Sequence, residues 1–82
     1  MKTITALPSR PLFTIAKDIE DSWPKPYFGA TPYLSAMRSL SDITDYYGCD
    51  SADMIVRYFL SNATTWRGED ARRIKAELKA LL

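Results

Sequence analysis

The sequence predicts an all-α protein, a small single-domain bundle of about four helices spanning residues 11–82, with an extended N-terminal arm over residues 1–10. Three observations lead there. Apolar residues recur at spacings of three and four in successive stretches, and no β-alternation of useful length occurs. The chain has 82 residues, the size of one small domain. Its hydrophobic fraction of 46% is ordinary for a globular protein and argues against disorder. Cys49 is the single cysteine, so no intrachain disulfide forms, and packing or a second chain must hold the core.

Residues 1–10 include Pro8, Ser9 and Arg10 and show no sustained period, which reads as an arm. The opening Met-Lys-Thr-Ile-Thr-Ala-Leu faintly resembles a secretory signal, but Pro8, Arg10 and Pro11 cut its apolar run short. Leu12, Ile15, Ala16, Ile19 and Trp23 then share one helical face, and Pro24 ends that helix because the residue before a proline resists the α region. The stretch from Trp23 to Ala30 is a loop by composition, yet it holds Trp23, Tyr27 and Phe28. Those rings either fold back to cap the core or form an exposed aromatic surface for a partner.

A second helix is expected over 32–47. Thr31 is placed to cap it, Pro32 occupies its first turn, and Gly48 closes it in a left-handed conformation. Tyr33, Ala36, Met37, Leu40, Ile43 and Tyr47 make its apolar face, with a break near Ser39 as the open alternative. Asp42 and Asp45 fall off that face and are expected in solvent. Asp50 or Ser51 caps a third helix, whose stripe is Ala52, Ile55, Val56, Phe59, Leu60 and Ala63. The fourth starts at Thr65 or near Gly68, with Glu69 and Asp70 suited to the positive end of its dipole. Ala71, Ile74, Leu78, Leu81 and Leu82 face inward; Arg67, Arg72, Arg73, Lys75, Glu77 and Lys79 face outward, with Glu69–Arg73 and Arg73–Glu77 spaced to pair.

The residue inventory narrows the chemistry. With no histidine and one cysteine, the chain cannot build a Ser–His–Asp or Cys–His arrangement, and most zinc sites are excluded. The three glycines are scattered and form no phosphate loop. The acidic residues read as caps and surface rather than a catalytic pair, so no enzyme, cofactor or metal is expected. A formal charge of +1 lacks the imbalance of a strongly basic nucleic-acid binder. No apolar run approaches the length of a membrane helix, and a cytoplasmic protein without membrane contact is expected.

Two constellations remain. Trp66, Arg67, Arg72 and Arg73 place an aromatic among cations, a pairing suited to a protein interface. The competing role is a core staple for Trp66 and a solvated face for the arginines. The second constellation, residues 43–60, has the outline of a helix-turn-helix with Gly48 at the turn. Its second helix carries Asp53, Met54 and Arg57, few donors for bases and phosphates, and a plain helical hairpin is the competing account.

The strings Pro32-Tyr33-Leu34-Ser35-Ala36-Met37, Tyr47-Gly48-x-Asp50-Ser51, Tyr58-Phe59-Leu60-Ser61-Asn62-Ala63 and Trp66-Arg67-Gly68-Glu69-x-Ala71-Arg72-Arg73-Ile74-Lys75-x-Glu77-Leu78 together resemble small accessory proteins encoded by bacteriophages and prophages. The resemblance spans about residues 14–80. It supplies neither an enzymatic activity nor functional residues; it implies a bacterial cytoplasm and a protein that binds and modulates a host or phage macromolecule. The resulting expectation is a non-catalytic protein–protein interaction module, a phage-encoded modulator or inhibitor of a host process. Its candidate contact residues are Trp66, Arg67, Arg72, Arg73, Tyr27 and Phe28, and its partner is a host or phage protein or a second copy of itself. The alternatives are a small DNA-binding regulator using residues 43–60, and an oligomeric assembly component.

Overall fold

A computed structural model describes residues 9–82. Four helices and one short hairpin follow in the order α1 (Leu12–Ser22), α2 (Thr31–Met37), β1 (Tyr46–Tyr47), β2 (Asp50–Ser51), α3 (Ala52–Ser61) and α4 (Glu69–Leu81). The fold is therefore mostly helical, but it is not the pure all-α bundle expected. Residues 1–8 of the predicted arm lie outside the described residues, while Ser9 and Arg10 have no regular structure.

Helix α1 buries Leu12, Ile15, Ala16 and Ile19, the face its spacing predicts. No side chain caps its start. Instead, the N–H groups of Leu12 and Phe13 donate to the carbonyls of Ser41 and Leu40, both at 2.9 Å. A distant piece of backbone thus satisfies donors that a helix normally leaves open. Helix α2 begins at Thr31, but Thr31 is not the expected cap: its hydroxyl donates to the Phe28 carbonyl at 2.8 Å.

The predicted helix over 32–47 stops at Met37, so the open alternative of a break near Ser39 is the one the chain adopts. Ser39 and Leu40 make tighter i→i−3 bonds to Ala36 and Met37, and Leu40 turns into the core. The Asp45 carboxylate then accepts from the N–H groups of Ser41 and Asp42, at 3.0 and 2.9 Å. Asp42 accepts from the Thr44 N–H at 3.0 Å and from the Thr44 hydroxyl, which holds its carboxyl below the usual range. Short polar side chains bonding local backbone offer the chain an alternative to the helix, and here that alternative wins. Asp42 and Asp45 are thus structural acceptors, not merely solvated charges.

Gly48 does take a left-handed conformation, φ 63°, but in the turn of a hairpin rather than at a helix end. Tyr46 pairs with Ser51 and Tyr47 with Asp50, antiparallel. The helix-turn-helix outline over 43–60 is consequently absent: a β-hairpin stands where its first helix would be.

Helices α3 and α4 bury Ala52, Ile55, Val56 and Phe59, and Ala71, Ile74 and Leu78, respectively. Gly68, at φ 110°, turns the chain into α4, which resolves the two expected starts in its favour. Leu81 packs against the core, but Leu82 is exposed, contrary to expectation. Among the described residues, α1 packs on α2 and α4, while α3 lies mainly against α2. No buried polar side-chain atom among them lacks a partner.

Candidate interaction surface

The aromatic residues divide between the core and the surface. Phe59 is fully buried from α3. Trp23, just past α1, and Trp66, in the α3–α4 connection, stack at 5.3 Å with their planes 7° apart, and each meets Phe59 edge-on at 6.4 Å. Trp66 is 4% exposed, so in the folded chain it is a core residue. Lys75 of α4 lies over its ring at 5.8 Å and donates to its backbone carbonyl at 2.7 Å. Lys75 was expected to face outward; its stem is instead half-buried against Trp66 with its ammonium at the rim.

Tyr27 and Phe28 take the other course. They sit in a turn held by bonds from the Ala30 N–H to the Tyr27 carbonyl, 2.8 Å, and from the Thr31 N–H and hydroxyl to the Phe28 carbonyl. Phe28 is 78% exposed, the most of any large apolar side chain described, and Tyr27 packs on it at 4.8 Å while remaining 45% exposed. Of the three loop aromatics, only Trp23 folds back onto the core. Gly29 lets two side chains close in on the turn: a Cβ there would stand 2.5 Å from the Tyr27 ring and 2.8 Å from Asn62 Oδ1. Asn62 in turn donates to the Tyr58 carbonyl, and the Tyr58 ring lies 5.5 Å from that of Tyr33. The loop and the α2–α3 seam thus carry two aromatic pairs, Tyr27 with Phe28 and Tyr33 with Tyr58.

The three arginines separate as well. Arg73 spans Asp18 and Asp70 at 3.3 and 3.2 Å, not Glu69 or Glu77. Arg10 grips Glu77 with two bonds, 2.8 and 2.6 Å, and reaches Asp18 at 3.1 Å. A chain of charges therefore clamps α1 to α4 and ties down the first described residues. Burial pushes the Asp18 carboxyl up, but hydrogen bonds from Arg73 and Arg10 outweigh it and hold the group below its ordinary range. Arg67 and Arg72 are exposed and enter no ion pair among the described residues.

An open cleft of about 570 Å³ runs between the end of α1, the loop and α2, walled by Trp23, Pro24, Pro26 and Leu34. Arg38 and Glu20 close its rim with a 2.7 Å ion pair. Among the described residues, no group of three or more histidine, cysteine or acidic side chains is placed to hold a metal, and no helix is long and apolar enough to cross a membrane. Cys49 is exposed in the hairpin turn.

Tyr33 and Tyr58 are absent from the sequence-derived candidates because their spacing assigns one to an apolar face and leaves the other unmarked. Only the packing of α2 on α3 brings them together. Lys75 and Lys79 were read as a solvated face, and nothing in their spacing signals the half-burial of Lys75. Compared with protein-family models, curated proteins and solved structures, the chain matches none.

Proposed function

We propose that this chain is a non-catalytic protein–protein interaction module that engages its partner through the exposed aromatic pair Tyr27 and Phe28. The observation that carries the reading is the Phe28 turn. Backbone bonds fix the turn that carries Phe28, and its large apolar side chain stands outward, where it adds nothing to the core. Exposing that much apolar area gains nothing for the isolated domain, whereas burying it against a partner is favourable by ~25 cal/mol per Å². Rigid aromatics also bring contact area at low entropic cost, which is why they dominate interface hot spots. Following the resemblance to phage accessory proteins, the partner is a host or phage protein in a bacterial cytoplasm, and binding modulates that protein's activity.

The test is affinity capture from nuclease-treated bacterial lysate with the wild-type chain and with Phe28→Ala. The variant should melt within a few degrees of wild type, because exposed substitutions usually change stability by less than about 0.5 kcal/mol. It should also lose the captured protein. Equal capture by the two chains at equal stability would refute the assignment of this surface.

A further inference from the structure

The charges on this protein are nearly balanced, at a formal +1, but they are not evenly spread. On α4, Arg72, Lys75 and Lys79 fall at i, i+3 and i+7, one stripe on the helix surface. Of the acidic residues of the helix, Asp70 bonds to Arg73 and Glu77 is taken by Arg10, while Glu69, three residues before Arg72 at the start of the stripe, enters no ion pair among the described residues. Arg67, in the connection before α4, adjoins the stripe, because the Lys75 ammonium donates to the carbonyl of the residue just before it, Trp66, at 2.7 Å. None of Arg67, Arg72, Lys75 and Lys79 enters an ion pair among the described residues, whereas Arg10, Lys17, Arg38, Arg57 and Arg73 all do. Burial first, and then repulsion from Lys79 and Arg67, lowers the Lys75 pKa. Lys75, at the middle of the stripe, is held in place by the Trp66 carbonyl and ring.

We propose that Arg67, Arg72, Lys75 and Lys79 form a docking stripe for an acidic segment of a partner protein. The inference rests on the reading of the chain as a protein-binding module and supplies its partner's chemistry. From Arg72 to Lys79 the stripe runs about 10 Å along the helix axis. Carboxylates on an acidic helix or extended peptide repeat within that length. Near-neutral net charge favours an acidic protein over nucleic acid, because a polyanion as dense as a duplex is drawn by broad positive fields that this chain lacks.

The experiment is fluorescence anisotropy of a labelled poly-glutamate peptide of about 20 residues, titrated with the full chain at low and physiological salt. Saturable binding that weakens with salt is expected. R72E/K79E should weaken it by about tenfold or more, since like charges facing one another across a contact are strongly disfavoured. K17E/R57E changes net charge equally but lies off the stripe, and it should stay within about twofold of wild type. Melting curves accompany each variant. If R72E/K79E does not fold, the neutral R72Q/K79Q must still lose at least about threefold, because the attraction itself is removed. Absence of peptide binding, an equal loss in K17E/R57E, or tighter binding to a mixed-sequence DNA duplex than to the peptide would each overturn the proposal. Phe28→Ala should bind the peptide as wild type does. Failure here therefore leaves the aromatic-surface reading standing, and failed capture by Phe28→Ala leaves the stripe standing.

Discussion

Phe59→Ala is the substitution that most directly tests the packing scheme. The ring is fully buried and meets both Trp23 and Trp66 edge-on at 6.4 Å, so it joins the end of α1, α3 and the α3–α4 connection in one contact. Removing a buried phenylalanine costs about 3–5 kcal/mol through lost transfer energy and the cavity left behind. The upper half of that range applies, because edge-to-face contacts contribute ~0.5–1.5 kcal/mol each beyond area and the stacked tryptophans cannot both collapse into the space. A domain of this size has roughly 4–12 kcal/mol in total. A loss of about 4 kcal/mol therefore takes a large share of it and lowers Tm by roughly 15–30 °C. Urea unfolding followed by tryptophan fluorescence reads the change, since Trp23 and Trp66 both flank the deleted ring. Phe28→Ala, on a mostly exposed ring, is the control. A Phe59→Ala loss below about 1 kcal/mol would refute the reasoning, because no fully buried phenylalanine in a filled core is removed so cheaply.

Two further outcomes follow from local geometry. The Asp18 carboxyl is held low by Arg73 and Arg10, so the stability it contributes is fully present above about pH 4 and is lost as pH falls through its lowered value. Thermal melts should therefore fall between pH 5 and pH 2, about the window of that titration, with a shallower fall in Asp18→Asn; identical profiles would remove Asp18 from the clamp. Gly68 sits at φ 110° and ψ −176° with open space around it, so Gly68→Ala meets backbone strain alone and should cost about 1–3 kcal/mol. An unchanged denaturation midpoint would show that the turn into α4 relaxes freely.

Much of the fold is legible in the sequence because helical faces are local. Leu12, Ile15, Ala16 and Ile19, or Ala52, Ile55, Val56 and Phe59, need only 3.6-residue periodicity to declare which side is buried. Gly48 is legible in part: the left-handed conformation its position predicts is present, but in a hairpin turn rather than at a helix end, and nothing in the spacing marks the positive φ of Gly68. Residues 38–51 were not, because their periodic apolar face competes with Ser39, Ser41, Asp42, Thr44 and Asp45, and spacing does not weigh those two effects. The outcome turns on tertiary bonds as well: the carbonyls of Leu40 and Ser41 leave the helix pattern and cap α1. Of the candidate site, the exposed Phe28, Arg67 and Arg72 lie on residues that composition singles out.

By itself, then, the sequence determined which residues form helices α1, α3 and α4, which faces they bury, and which chemistries the missing histidine excludes. Each follows from residue type or spacing over a few turns. Only the tertiary structure decided that Trp66 belongs to the core and Phe28 to the surface, that Arg73 serves the α1–α4 clamp while Arg72 takes no part in it, and that Gly48 turns a hairpin. Those outcomes depend on partners far away in the chain: Trp23 for Trp66, Asp18 for Arg73, and the start of α1 for the 40–41 carbonyls. The identity of a distant neighbour is a property of packing, and no local periodicity encodes it.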